Sequence, residues 1–178
     1  MRNWKFTNLE KPSQSGTIVA GMGTTALEDQ ILNVLKIDNN DFASRVEMWV
    51  LLETESAKLA ALRRTDQDIS AIKKALDVYA NKVKLGKQAA EEDLLFHLKI
   101  EEANKNAVLK SFMLIFRSDL INNFFQWDIF KKDSHITTVL DDHEVILGHI
   151  IAKKPEKAAT AMGRHLNEVF VYCQSLKN

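Results

Sequence analysis

From residue 24 onward the chain meets almost nothing that would stop a helix. After Gly86 its only glycines are Gly148 and Gly163, and the only proline after Pro12 is Pro155. Proline removes a backbone donor and glycine adds backbone freedom, so a stretch poor in both and rich in Leu, Ala, Glu and Lys favours long helices. Apolar residues there recur at three- and four-residue intervals, which lines one face of a helix and does not suit the alternation of a half-buried strand. The expected fold is all-α, an antiparallel bundle of six to seven helices. The spacing places helical stretches near 24–37, 40–63, 66–85, 88–104, 106–126, 134–153 and 155–176.

Punctuation between the stretches agrees. Thr65 with Asp68 three residues on is a cap for the third stretch, and Gly86 a stop. Asn104-Lys105-Asn106 breaks the fourth from the fifth, and Pro155 suits the first turn of the last. Connections are short except for 127–133, so neighbours should run antiparallel. Residues 1–23 differ. Trp4-Lys5-Phe6 and Thr17-Ile18-Val19 flank a segment containing Pro12, Ser13, Ser15 and Gly16 and read as a short hairpin-like fragment. Two strands alone are not stable, so this is either a disordered leader or the remnant of something larger.

The 178 residues suit one domain with a substantial core. Twenty-four basic residues balance twenty-four acidic ones, so the overall charge favours neither nucleic acid nor an anionic membrane as partner of the whole chain. Cys173 is the single cysteine, which rules out an intrachain disulfide and favours a reducing compartment. No run of 18 apolar residues occurs, and a soluble cytoplasmic protein is expected.

Polar residues interrupt three apolar faces at their centres. In Ala89–Ile100, Asp93 and His97 lie one turn apart on the apolar side, edged by Phe96 and Ile100 and by Leu94 and Leu98. In the sixth stretch His143 lies amid Ile136, Val139, Leu140, Ile146, Leu147, Ile150 and Ile151. In the seventh, His165 lies amid Ala158, Ala161, Met162, Val169, Tyr172 and Leu176. A lone core histidine is usually a hydrogen-bonded one. Three of them beside a carboxylate form a ligand set for a borderline divalent metal. His149 projects to the polar side of its helix and His135 lies near a helix start, so neither is needed.

Several catalytic patterns are missing. No Glu lies three residues before a histidine, as a ferritin-like di-iron site requires. His143-Glu144 is followed by Leu147 where a zinc-protease helix needs its second histidine. No phosphate-binding loop or nucleophile elbow is present.

At these residues the chain resembles the C-terminal effector domain (FCD) of GntR-family transcriptional regulators, FadR subfamily. The resemblance rests on Asp93-Leu94-Leu95-Phe96-His97, on Asp142-His143-Glu144-Val145-Ile146 with Ile150, and on Ala161-Met162-Gly163-Arg164-His165-Leu166. Leu52-Glu53 followed by Leu59–Asp68 looks like that domain's opening segment, and Glu102–Asn106 like its helix break. The similarity covers roughly residues 40–176. It implies a metabolite-sensing helical domain, residues 24–178, that is no enzyme and forms a homodimer. It also implies a divalent metal (Zn, Ni or Mn) on Asp93, His97, His143 and His165, and a small carboxylate effector such as a sugar acid or hydroxy acid. Ser15–Val19 is similar to the end of the wing of a winged-helix domain, which makes residues 1–23 a remnant of a DNA-binding head. The recognition helix that should precede it is missing, so DNA is expected to be reached only through a domain largely absent from this chain.

One position departs from the family pattern. Trp49 stands where the family commonly carries an effector-holding Arg. Arg117, projecting into the stripe Met113, Leu114, Leu120, Ile121 and Phe124, is a substitute anchor unless it snorkels outward. Trp49 either stacks on a sugar ring or fills core space. Two other readings stay open on the residues: a metal-dependent enzyme using the Asp/His3 centre, and a structural helical dimerisation module whose histidines only hydrogen-bond.

Overall fold

The computed structural model describes the backbone of residues 42–126 and 136–175, and the side chains of 44–117 and 139–171. The expected first helix at 24–37, the wing-like segment 1–23 and the long connection 127–133 lie outside the described residues. Six helices follow in order: α1 (Phe42–Arg63), α2 (Asp66–Lys84), α3 (Ala90–Ala103), α4 (Ala107–Gln126), α5 (Ile136–Ile151) and α6 (Pro155–Ser175). Among the described residues there is no strand, and no helix is long and apolar enough to cross a membrane.

The helix ends follow from the residues at them. Thr65 caps α2 through a reciprocal box: its hydroxyl accepts from the Asp68 N–H, and the Asp68 carboxylate accepts from the Thr65 N–H. At the other end Gly86 takes φ +65°, and two backbone bonds close the turn, Gly86 N–H to Val83 O and Lys87 N–H to Lys82 O. This left-handed end satisfies carbonyls that the helix would leave open. Lys153, with φ 53°, ends α5 through the same pair of bonds, Lys153 N–H to Ile150 O and Lys154 N–H to His149 O. Between α3 and α4 the buried Asn104 holds the break. Its amide donates to Ser56 Oγ at 2.6 Å, and its side-chain oxygen accepts from the Asn106 N–H.

Helix α1 is the central element. It packs along α6 most extensively and also touches α3, α4 and α5. Its buried face carries Ala57, Ala60 and Ala61, all fully buried, and α6 answers with Ala158 and Ala161. Small side chains on facing helices let the axes approach closely. At Gly163 of α6 a methyl group would meet Thr54 of α1 at 3.7 Å, an ordinary contact. Ile72, Leu76 and Tyr79 of α2, Phe96 and Ile100 of α3, Met113 of α4, and Ile146 and Ile150 of α5 complete one continuous core.

The stripe expected on α4 is corrected in one respect. Met113 is buried, but Leu114 is 57% exposed, and the buried neighbours of Arg117 along the chain are Ile115 and Phe116. The stretch is apolar nearly all round, so spacing alone does not single out its inner face.

Ala57 is fully buried on the face that packs against the rest of the bundle. Ala57→Leu is expected to destabilise the bundle by about 1–3 kcal/mol, because overpacking forces neighbours off their rotamers. Urea denaturation checks this, and unchanged stability would mean that α1 sits more loosely than described.

Candidate metal centre

The four residues singled out by sequence converge. One ligand atom each from Asp93, His97, His143 and His165 lies within 4.8 Å of the others. They come from α3, α5 and α6, so the group ties three helices together. His143 Nε2 lies 3.2 Å from His165 Nε2 and 3.3 Å from the Asp93 carboxylate. Helical geometry explains the pair on α3, where residues four apart share a face. The other two are brought in because α5 packs against both α2 and α6.

Aromatic surfaces fix the rings. Phe96 stacks on His143 with centroids 4.2 Å apart, and Tyr79 meets the same ring edge-on at 5.1 Å. The rings of His97 and His165 lie nearly parallel at 5.4 Å. Burial, followed by the neighbouring imidazoles His165 and His97, pushes His143 well below the usual imidazole range. Burial likewise pushes His165 down to about 3. Burial raises Asp93 above the usual carboxylate range. Both rings are therefore held neutral, the form that ligates a metal.

The donor set fits a divalent ion. Two imidazole nitrogens facing each other at 3.2 Å can share at most one proton between them, and the Nδ1 atoms of both rings are buried without a hydrogen-bond partner. In the tetrahedral geometry of four-ligand sites, ligands at about 2.0–2.2 Å from one ion stand about 3.3–3.6 Å apart. With the ligand atoms here within 4.8 Å of one another, side-chain closure of about 1.2–1.5 Å at the widest gathers the group around an ion. Nitrogen and oxygen donors suit zinc, nickel or manganese.

The two residues expected to hold an effector lie beside this group, with their donors turned to the protein's own carboxylates. Arg117 is buried, so it does not snorkel out. Its Nη2 donates to Glu53 at 3.1 Å and makes a second, closer bond to Glu101. Trp49 is buried, and its Nε1–H donates to Glu53 at 3.2 Å. Neither Glu53 nor Glu101 stood out in the sequence as a site residue. Both were visible in principle. Glu53 falls four residues after Trp49 on the buried face of α1, and Glu101 four after His97 on that of α3.

These two carboxyls differ. Burial acts to raise Glu53, but His97 and Arg117 outweigh it and hold Glu53 below the usual carboxylate range. Burial, reinforced by the charge of Glu53, pushes Glu101 up to about 7. For His97 burial opposes charging, yet Glu53 and Asp93 outweigh it and raise the ring.

The sequence profile of the FCD domain matches residues 45–168, and the chain belongs to that family, the regulatory domain of GntR-type transcriptional regulators. It is similar to the HTH-type transcriptional regulator LutR of Bacillus subtilis, 27% identical over 90% of this chain and 75% of LutR. It is 30% identical to the Uxu operon transcriptional regulator of Escherichia coli over 67% of this chain, and spans only 48% of that relative. Among solved structures, Streptococcus agalactiae GntR matches with a TM-score of 0.62 at 23% identity, covering 91% of this chain and 73% of its own. Escherichia coli McbR/YncC matches with 0.64 at 13%, covering 89% and 83%. These two likenesses concern the fold. The relatives are transcriptional regulators and not enzymes, which removes the metal-dependent enzyme from the readings the residues had left open.

The depressed ring of His165 sets a pH dependence. Below about pH 6.5 the unfolded chain takes up a proton that the folded ring refuses, so stability is lost on acidification from there toward the folded value of about 3. Replacing His165 by Gln removes this loss. Between pH 7 and pH 5 the stability of metal-free His165→Gln should therefore improve relative to wild type by about 2 kcal/mol, as read by urea denaturation at both pH values. An equal difference at the two would show that His165 titrates normally.

Proposed function

We propose that this chain is the sensing half of a GntR-type regulator, in which a divalent metal (Zn, Ni or Mn) on Asp93, His97, His143 and His165 receives a small carboxylate effector. The observation that carries this reading is the convergence of four metal-type donors from three helices inside the core. Four protein donors close a tetrahedral site, so an effector that ligates the ion needs the centre to expand to five or six positions. The carboxylate of a sugar acid or hydroxy acid can fill one such position and a hydroxyl another.

Arg117 and Trp49 stand beside this centre as the effector's second contact. Arg117 already holds two carboxylates, so an effector anion that reaches it replaces Glu101, whose carboxyl protonates readily. Control of DNA then follows through a winged-helix domain and a homodimer, since an effector moves an equilibrium only by binding two states differently.

Metal analysis of the purified protein is the direct test. About one ion per chain is expected in wild type and none in His143→Ala. A chelator should lower the melting temperature, and a ligand at a hundred times its Kd should add about 2.7 kcal/mol of stability. Absence of metal, with no thermal gain on adding Zn, Ni or Mn, would leave histidines that only hydrogen-bond and would sink the metal reading.

A further inference from the structure

The three imidazoles of the centre are not held alike. His143 and His165 leave their remote Nδ1 atoms buried without a hydrogen-bond partner, and the nearest carboxylate oxygen to His165 Nδ1, from Asp142, stands 3.7 Å away. Asp142 is itself engaged by Arg164 at 2.7 Å. His97 alone of the three has its Nδ1 matched, to Glu53 Oε2 at 3.3 Å. Glu53 is fully buried on α1.

The direction of that bond is fixed by the other end of the carboxylate. Oε1 accepts from Trp49 Nε1 at 3.2 Å and from Arg117 Nη2 at 3.1 Å. Indole and guanidinium are donors only, so they cannot reverse roles. An ionised carboxylate offers only acceptors, and Oε2 therefore requires a hydrogen on His97 Nδ1. A neutral His97 must then carry its lone pair on Nε2, the nitrogen left for Asp93, His143 and His165.

We infer that Glu53 is a positioning residue of the metal centre: held by Trp49 and Arg117, it sets the tautomer and orientation of His97 so that Nε2 is ready to ligate an ion. The remote nitrogen of a ligating histidine commonly donates to such a partner, and loss of the partner weakens metal binding about 10- to 100-fold. Trp49 and Arg117 thus act on the centre through Glu53, one step removed from the ion. The inference rests on the metal reading for its affinity arm, while its tautomer arm is independent of any metal.

Nitrogen-15 NMR of the metal-free protein, at a pH where His97 is neutral, reads the tautomer directly. Wild type should show His97 protonated on Nδ1. In Glu53→Gln the amide must turn its oxygen to the two fixed donors and its NH2 to His97, so the ring should switch to the Nε2–H form. A wild-type ring protonated on Nε2, or a Gln variant that leaves the tautomer unchanged, would overturn the inference. Zinc affinity by chelator competition supplies the second arm. Glu53→Gln should bind about 10- to 100-fold more weakly. Glu53→Asp, which keeps the charge but withdraws from Nδ1, should weaken binding as well. Wild-type affinity in the Asp variant would show that charge alone matters, against a positioning role. Should wild type bind no zinc, nickel or manganese, the metal reading fails, and the tautomer measurement still decides the role of Glu53.

Discussion

A carboxylate buried at the centre of α1 constrains how the bundle can assemble. Glu53 is fully buried, and the three donors that satisfy it come from three helices: Trp49 of α1, Arg117 of α4 and His97 of α3. Leaving a buried charge without its partner costs about 3–5 kcal/mol, more than most single apolar contacts contribute. Sliding α3 or α4 along α1 by one residue would break that pairing. The apolar core tolerates small rearrangements among Leu, Ile and Met, whereas this polar junction fixes register.

The same junction explains the electrostatics of the neighbouring group. Asp93, Glu53 and Glu101 are three acids close together, and Arg117 is bonded to two of them. Asp93 and Glu101 are both raised, first by burial and then by the charge of Glu53. A divalent ion at this group would add two positive charges to the one on Arg117, matching three ionised acids.

Much of this was legible in the sequence, for identifiable reasons. Helix ends were marked by Thr65 with Asp68, by Gly86, by the Asn104 break and by Pro155, each acting through local backbone chemistry. Asp93, His97, His143 and His165 stood out because a polar residue amid an apolar stripe is conspicuous. Glu53 and Glu101 did not stand out, since glutamate is common in helices and each lies beside other acids, Glu55 and Glu102, that face outward. Leu114 was misplaced because α4 is apolar on most of its circumference. Arg117 was left open between an inward and an outward course, because its partners lie 64 and 16 residues away in the chain, and pairings at that separation leave no mark on periodicity.

The position of Glu53 within α1 has a mechanical consequence. A helix is a stiff rod rising 1.5 Å per residue, and Glu53 lies eleven residues from Phe42 at the start of α1. That length makes an arm of about 16 Å. A rotation of α1 by about 5° around its polar anchor therefore carries the Phe42 end through about 1.4 Å, while the anchor itself scarcely moves. The helix that grips His97 is thus also a lever, on which any angular change at Glu53 would be magnified at the Phe42 end.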